Sequence, residues 1–153
     1  MNKPWKPDDC GIVIPYLIVR DSLATAKFYE SAFGFVRQNV MSGPNGKIYH
    51  IDMTHYGEAV IMFSPEDAPY VGDKKSPATS GVNSPANMYV YFEDVDAAFK
   101  RAVAAGAIAG CEPADMFWGD RICSVTDPDG YEWSLATKVG EFDESKMPNF
   151  DAE

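Results

Sequence analysis

The chain has 153 residues, 46% of them hydrophobic and 24% charged, and its 23 acidic and 13 basic residues give a net charge of −10. These proportions are typical of a globular protein with one domain. The negative charge excludes the cationic surfaces that bind nucleic acids and anionic lipids, and no stretch has the apolar character of a signal peptide or a membrane span. We therefore expect neither a nucleic acid nor a membrane as partner.

Residues 10–64 are predicted to form a first module with the element order β-α-β-β-β. Its first strand, over residues 12–19, leads to Asp21, which can cap a helix that ends at Gly34. Pro15 lies inside this strand and has no N–H to donate, which predicts an edge strand or an unpaired position. The remaining strands of the module follow the helix, and the last of them ends near residue 63.

One strand of the first module presents two chemically different faces. Tyr49, Ile51 and Met53 alternate with His50, Asp52 and Thr54, so the apolar set is expected to meet the helix and the polar set to face away from it. His50 and Asp52 are candidate catalytic residues, because a carboxylate can orient an imidazole that acts as a general base. A purely structural polar pair is the alternative. His55, in the following turn, is expected to be solvated.

Residues 65–86 are rich in Pro, Gly and Ser and are predicted to link two modules. A connection of this length is uncommon unless it is functional or disordered. Tyr70 and Val71 near its middle are compatible with a lid over a binding site. A solvated linker is the alternative, and the sequence does not decide between them.

Residues 87–139 repeat the first module, and residues 140–153 form an acidic tail. Asp94 or Asp96 can cap the second helix, which is predicted to stop at Gly106. The spacing from Asp94 to Gly106 differs by one residue from the spacing between Asp21 and Gly34. The repeat predicts an α+β protein in which residues 1–153 form one domain of tandem βαβββ modules.

Several motifs carry a resemblance to a known family. The DPDGY segment at residues 127–131 and the FWGDR segment at residues 117–121, together with the repeat, resemble the vicinal oxygen chelate superfamily of glyoxalases, bleomycin resistance proteins and dioxygenases, and its PhnB-like branch in particular. The resemblance implies a curved, mixed and antiparallel sheet that forms a cup, with helices on its outer face. It also implies a homodimer, because such modules assemble composite cups within or between chains.

Enzymes of this superfamily bind a divalent metal through His and Glu side chains. Carried over by the resemblance, their ligand positions fall on Ile14, Met62, Asn87 and Ser134. None of these is a histidine or a carboxylate, and neutral amide, hydroxyl or thioether groups are weak ligands for Zn²⁺ and similar ions. We therefore expect no metal site of the family type and no cofactor.

The cup that the resemblance implies is the expected ligand site. Trp118 would stack on a ligand and Arg121 would grip its carboxylate or phosphate, or else Trp118 packs in the dimer interface and Arg121 pairs with Asp120 or another carboxylate. The sequence does not show which residues of this strand face the cup, so both alternatives remain open. The predicted ligand-binding residues are Tyr16, His50, Met62, Asn87, Tyr89, Tyr91, Trp118, Arg121 and Ser134.

The leading hypothesis for function is metal-independent binding of a small organic molecule by a cytoplasmic homodimer. The cytoplasmic location follows from three cysteines without disulfide or metal-site spacing. One alternative is a protein that sequesters an antibiotic, as bleomycin resistance proteins do, and the net charge of −10 would suit a cationic drug. Another is a lyase or isomerase that transfers protons through His50 and Asp52. A metal-dependent glyoxalase-like lyase would need ligands at other positions. The sequence does not decide whether the protein is an enzyme.

Overall fold

Two βαβββ modules, each with its own sheet, are present in the computed structural model, which describes residues 5–151. The first module contains β1 (Tyr16–Val19), α1 (Ser22–Phe33), β2 (Val36–Ser42), β3 (Ile48–His55) and β4 (Glu58–Pro65), and a short helix α2 (Pro77–Ser80) lies in the linker. The second module contains β5 (Asn87–Tyr91), α3 (Val95–Ala104), β6 (Ile108–Ala109), β7 (Ala114–Asp115), β8 (Asp120–Thr126) and β9 (Glu132–Lys138), followed by a 3₁₀ turn at Glu144–Lys146.

The two sheets have the same strand order. Sheet one runs β1-β4-β3-β2, and sheet two runs β5-β9-β8-β6 with β7 also paired to β8. In each sheet the first strand pairs in parallel with the last strand of its module, while the other pairs are antiparallel. The predicted α+β class and tandem arrangement are thus confirmed. Pro15 directly precedes β1, an edge strand of its sheet.

Both main helices begin at the predicted acidic residues. The Asp21 carboxylate accepts a hydrogen bond from the N–H of Ala24 at 3.0 Å, and Asp94 accepts one from Ala97 at the same distance. Asp94, not Asp96, is therefore the cap of α3. Gly34 ends α1 with a φ of 69°, in the left-handed region that glycine adopts at little cost. Within residues 5–151 no helix combines the length and hydropathy needed to cross a membrane.

One hydrophobic core serves both modules. Helices α1 and α3 contact each other and each packs on its own sheet. The ring of Trp133, fully buried in sheet two, lies 5.1 Å from the Tyr29 ring and 4.9 Å from the Phe33 ring of α1. The helical sides of both sheets therefore share this core, and their opposite faces are turned away from it.

The DPDGY segment joins the second module to the first. The buried Asp127 carboxylate accepts hydrogen bonds from the Tyr29 hydroxyl at 2.7 Å and from Trp133 Nε1 at 2.9 Å. Asp129 accepts one from the Thr25 hydroxyl at 2.7 Å, and the Tyr131 hydroxyl donates to the Ile18 carbonyl at 2.8 Å. The motif that carries the resemblance is therefore the junction between the modules.

The turn between β3 and β4 makes the reciprocal contact with the second module. His55 donates from Nε2 to the Tyr91 carbonyl at 2.8 Å, and its ring lies between the rings of Phe35 and Phe92, at centroid distances of 5.0 and 4.6 Å. His55 was expected in a solvated turn, but it is the last residue of β3 and is partly buried against the second module.

The linker is attached to the rest of the molecule at several points. Val71 and Ser76 are buried, and the Ala78 N–H donates to the Asp129 carbonyl at 2.9 Å. Tyr70 reaches the beginning of β3, an interior strand of sheet one, where its hydroxyl donates to the Tyr49 carbonyl at 2.5 Å. These contacts fix the linker so that the Tyr70 side chain lies beside sheet one.

Candidate functional site

Most of the predicted site residues lie on the two sheet faces that are turned away from the core. Tyr16, His50 and Met62 share this face of sheet one, where Tyr16 and Met62 are paired across neighbouring strands. Their strand neighbours Leu17 and Ile51 are buried in the core, as predicted for Ile51. Tyr49 was also expected on the core side, but it is only partly buried and Ile48 packs against the core instead, at a register shift in the pairing of β2 with β3. The corresponding face of sheet two carries Asn87, Tyr89, Tyr91 and Ser134.

The sheet-one face carries a continuous chain of hydrogen bonds. The Tyr16 hydroxyl contacts Nδ1 of His50 at 2.7 Å and the Ser64 hydroxyl at 2.5 Å. Nε2 of His50 contacts the Asp52 carboxylate, so His50 and Asp52 are brought together as predicted. The chain extends to Asn39, which donates to Asp52 at 2.8 Å, and to Tyr70, which lies 3.0 Å from the Ser64 hydroxyl. Burial is the main cause that raises the pKa of the Tyr16 hydroxyl.

Asn39 and Ser64 were not predicted as site residues, and Tyr70 was considered only as part of a lid. Asn39 lies on β2, whose pairing with β3 contains a register shift between Arg37 and Asn39. The sequence pattern contains no signal for such a bulge, and a shift of one residue exchanges the two faces of a strand. These contacts therefore became visible only in the folded chain.

The sheet-two face carries aromatic rings whose polar groups converge on one carboxylate. The hydroxyls of Tyr89 and Tyr91 donate to the same oxygen of Asp120, at 2.7 and 2.8 Å. Trp118 donates from Nε1 to the Tyr89 hydroxyl at 3.3 Å. Burial, with an added contribution from Asp120, raises the pKa of Tyr89 to about 12. Asp120 was not predicted as a site residue, although its neighbours in the FWGDR segment were.

Arg121 lies on the opposite face of sheet two, against helix α3. Its guanidinium donates to Asp96 at 2.8 and 3.0 Å and to Asp115 at 2.9 Å. Adjacent residues of a strand point to opposite faces, so Asp120 and Arg121 cannot both line the cup face. This placement corrects the prediction of Arg121 as a ligand-binding residue and favours the alternative of a structural ion pair, with Asp96 and Asp115 instead of Asp120.

The positions that would hold the family's metal carry an unsuitable set of donors. Ile14 has no donor atom, and Met62 offers only a thioether. Asn87 donates to the Ser134 hydroxyl at 3.0 Å and to Glu132 at 2.8 Å, so these polar groups bind each other. Across residues 5–151 no three His, Cys, Asp or Glu side chains come together in a way that could hold a metal ion. The residues present do not fit the metal site of the family.

A groove lies where the first sheet meets the edge of the second. It encloses about 390 Å³ between the β3–β4 turn and β5, within the range of small-molecule sites. Tyr89 and Tyr91 contribute to both the groove and the sheet-two face, so a ligand on that face could extend into it. The lining residues are His55, Tyr56, Glu58, Ala59, Val60, Tyr89, Val90 and Tyr91.

Acidification is expected to destabilise the protein through His55. Burial, assisted by the charge of Arg101, lowers the pKa of His55, against a smaller opposing effect of its hydrogen bond to Tyr91. The unfolded chain therefore takes up this proton at higher pH than the folded chain. The resulting stability is complete above the ordinary histidine pKa of about 6.5 and is lost as the pH falls through the lower folded-state pKa.

Urea unfolding at a series of pH values below neutrality measures this loss. The variant His55→Gln keeps an N–H donor for the Tyr91 carbonyl but has no ionisable group. Its unfolding midpoint should fall less steeply with decreasing pH than that of the wild type. Equal slopes for the two proteins would show that His55 does not contribute to the pH dependence.

Comparison with known proteins agrees with the observed fold. Residues 11–135 match the family model described as Glyoxalase/Bleomycin resistance protein/Dioxygenase superfamily. An uncharacterised protein of Mycobacterium bovis is 37% identical over 128 residues, 83% of each chain, and one of Mycobacterium tuberculosis is 37% identical over 83% of this chain and 74% of its own.

Solved structures of the same architecture come from several bacteria. TioX from Micromonospora sp. ML1 is similar with a TM-score of 0.64 and 25% identity, over 84% of this chain and all of TioX. A fosfomycin resistance protein from Listeria monocytogenes, crystallised with Mn(II), is similar with a TM-score of 0.60 and 18% identity, over 82% of this chain and 87% of its own. Because the family model matches residues 11–135 and the chain has the tandem modules, the chain belongs to the Glyoxalase/Bleomycin resistance protein/Dioxygenase superfamily.

Proposed function

We propose that this protein binds a small organic molecule, without a resident metal ion, in a cup formed by two copies of the chain. The observation that carries the proposal is the pair of sheet faces that display aromatic and polar side chains, while the family's metal positions hold unsuitable donors. The proposal includes membership of the PhnB-like branch, on the strength of the FWGDR segment.

The exposure of the two faces supports a dimer. Tyr16, Tyr89 and Tyr91 are 47%, 45% and 53% exposed in one copy of the chain. Val40 and Met41 on β2 are also exposed. Large exposed apolar groups at one region of a surface are typical of interfaces and ligand sites, and a second copy related by two-fold symmetry would cover both faces at once. Three free cysteines support a cytoplasmic location for the binding function.

A cationic antibiotic is a second candidate ligand. Two exposed tyrosines donate to the buried Asp120 carboxylate on the sheet-two face, and Trp118 contacts one of them. Cations bind favourably over the faces of Tyr and Trp rings. The net charge of −10 would attract such a ligand over longer distances. This candidate concerns the identity of the ligand, and it uses the same cup.

Native mass spectrometry of the purified protein, before and after mild denaturation, tests the proposal. We expect a metal-free dimer that carries a small organic adduct, or that takes one up from a cell extract or from added bleomycin. A stoichiometric divalent metal, or no uptake of any organic molecule, would contradict metal-independent binding. The mass of the adduct separates an antibiotic from a metabolite.

Substitutions at the cup face test its location. The double variant Asn87→Phe, Ser134→Phe places two rings where these side chains now bind each other, and it is expected to lose the adduct while remaining folded. Ser31→Phe is the control, because Ser31 is exposed on α1, away from both sheet faces. Retention of the adduct by the double variant would place the ligand elsewhere.

A further inference from the structure

We propose that Tyr16, His50 and Asp52 form a proton relay, in which the Tyr16 hydroxyl exchanges a proton with a bound substrate and His50 supplies or removes it. The substrate would be an organic molecule with an acidic C–H next to a carbonyl or another electron-withdrawing group. The inference rests on the proposed function, because Tyr16 lies on the sheet-one face that would line the cup. It adds an activity to binding.

A backbone carbonyl determines the direction of the hydrogen bonds at one end of the chain. The Tyr70 hydroxyl donates its single proton to the Tyr49 carbonyl at 2.5 Å. Ser64 must therefore donate to Tyr70, 3.0 Å away, and Tyr16 must donate to Ser64 at 2.5 Å. The Tyr16 oxygen then accepts from Nδ1 of His50 at 2.7 Å.

The Asp52 carboxylate determines the direction of the hydrogen bonds at the other end of this hydrogen-bonded chain. Asp52 accepts from Nε2 of His50 through one oxygen and from Asn39 at 2.8 Å through the other. When all these hydrogen bonds are made, both ring nitrogens of His50 carry a proton and Asp52 balances the positive charge. The proton on Nδ1 can leave toward Tyr16 without disturbing the contact with Asp52. The hydrogen-bonded chain therefore has a proton-loaded form, in which Tyr16 donates to Ser64, and a proton-depleted form, in which the Tyr16 hydroxyl turns to donate to Nδ1 of neutral His50.

Exposure favours Tyr16 as the end that meets a substrate. Tyr16 is 47% exposed, whereas the side chains of His50 and Asp52 are 15% and 13% exposed. A substrate in the cup would therefore reach the tyrosine oxygen before it reached the imidazole. Tyr16 is the catalytic residue in this proposal, and His50 and Asp52 are positioning residues that act through it.

The transfer step is balanced without an oxidant, a reductant or a cofactor. The Tyr16 oxygen takes a proton from the substrate carbon as the Tyr16 proton passes to Nδ1 of neutral His50. The electron pair of the broken C–H bond moves to the electron-withdrawing group of the substrate. Return of the proton to a different substrate atom gives an isomerisation, and departure of a leaving group gives an elimination.

Tyr89 in the second module occupies the position equivalent to that of Tyr16 in the first. Tyr89 lies five residues before the cap Asp94, as Tyr16 lies five residues before the cap Asp21. The Tyr89 hydroxyl, however, donates directly to Asp120 at 2.7 Å, with no imidazole in between. A carboxylate is a weaker base than an imidazole, so a hydroxyl that donates to one keeps its proton. The geometry thus assigns the relay to sheet one alone.

The elimination of 5-nitrobenzisoxazole is a suitable probe, since loss of its ring proton breaks the N–O bond and releases a coloured nitrophenolate. The assay is run at about pH 8, where an ordinary imidazole is neutral. We expect the wild type to catalyse the reaction. His50→Gln and Tyr16→Phe should lower kcat on the order of 100-fold or more, with little change in KM. Ser31→Ala, which removes an exposed hydroxyl on α1 away from both sheet faces, should leave the rate unchanged.

Chemical rescue separates a relay from a structural role. Added imidazole should restore the rate of His50→Gly, because it can occupy the vacated space, and should not restore that of Tyr16→Phe. Equal rates for wild type, His50→Gln and Tyr16→Phe would overturn the proposal, as would loss of activity in His50→Gly without rescue. Circular dichroism of each variant verifies that it is folded.

Native mass spectrometry of the same variants distinguishes failure of the relay from failure of binding. An organic adduct on the wild type without any probe reaction would leave the binding function standing and overturn the relay. Probe reaction that depends on Tyr16 and His50, without any adduct, would support the relay and contradict the binding function.

Discussion

Replacing Asp127 with alanine is expected to lower the free energy of unfolding by at least about 3 kcal/mol, because the substitution leaves buried donors without an acceptor. The Asp127 carboxylate accepts hydrogen bonds from the side chains of Tyr29 and Trp133 and from the backbone N–H groups of Asp129 and Tyr131. Each buried donor left unsatisfied costs about 1–3 kcal/mol. The loss should be global, since these donors belong to both modules.

The variant Asp127→Asn serves as the matched comparison. Its amide keeps the shape of the side chain and one oxygen acceptor, so its stability should lie between those of the wild type and of Asp127→Ala. Urea unfolding followed by Trp fluorescence measures the order, because Trp133 is fully buried and is bonded to this carboxylate. A wild-type midpoint for Asp127→Ala would refute the role assigned to the junction.

Replacing Gly130 with alanine is expected to destabilise the protein by about 1–3 kcal/mol more than the same change at Gly57. The two glycines occupy equivalent turns of the two modules and have nearly the same φ, 88° and 82°. A Cβ on Gly130 would lie 2.8 Å from the nitrogen of Ala78 and 2.9 Å from Cβ of Pro77, whereas a Cβ on Gly57 meets nothing within 4 Å.

The comparison isolates the packing of the linker from the strain of the turn. Both variants carry the cost of alanine in the left-handed region, about 1–2 kcal/mol, so that contribution cancels in their difference. Limited proteolysis of the linker should accelerate in Gly130→Ala and remain unchanged in Gly57→Ala. Equal unfolding midpoints would indicate that the linker moves away from the turn without cost.

The sequence predicts the repeat through its helix caps, turn glycines and alternating strands. Each of these signals depends only on residues that are close to one another along the chain. The carboxylates of Asp21 and Asp94 cap the nearest helix whatever surrounds them. Alternation along β3 and β5 separates the two faces of each strand without knowledge of its partners. The metal positions were carried over from the family resemblance, and the residue types found there show that they offer unsuitable donors.

The parts of the site that escaped prediction depend on contacts between distant segments. Arg121 was predicted as a ligand-binding residue while the face of its strand stayed open, because that face depends on how β8 pairs with β9, and the observed register places Asp120 on the cup face instead. His55 was expected in solvent because the sequence does not show that its side chain contacts Tyr91 on β5 of the other module.

Residue types and short spacings in the sequence predict the tandem βαβββ architecture and the cap of α1, and they narrow the cap of α3 to Asp94 or Asp96. These properties depend on residue type and short spacing, which the linear order of the chain contains. Only the tertiary structure joined Asn39, Ser64 and Tyr70 to the pair of His50 and Asp52 and made Tyr16 its exposed end. The physical reason is that a side-chain hydrogen bond requires two atoms about 3 Å apart, and the pairing of the strands together with the docking of the linker sets such distances.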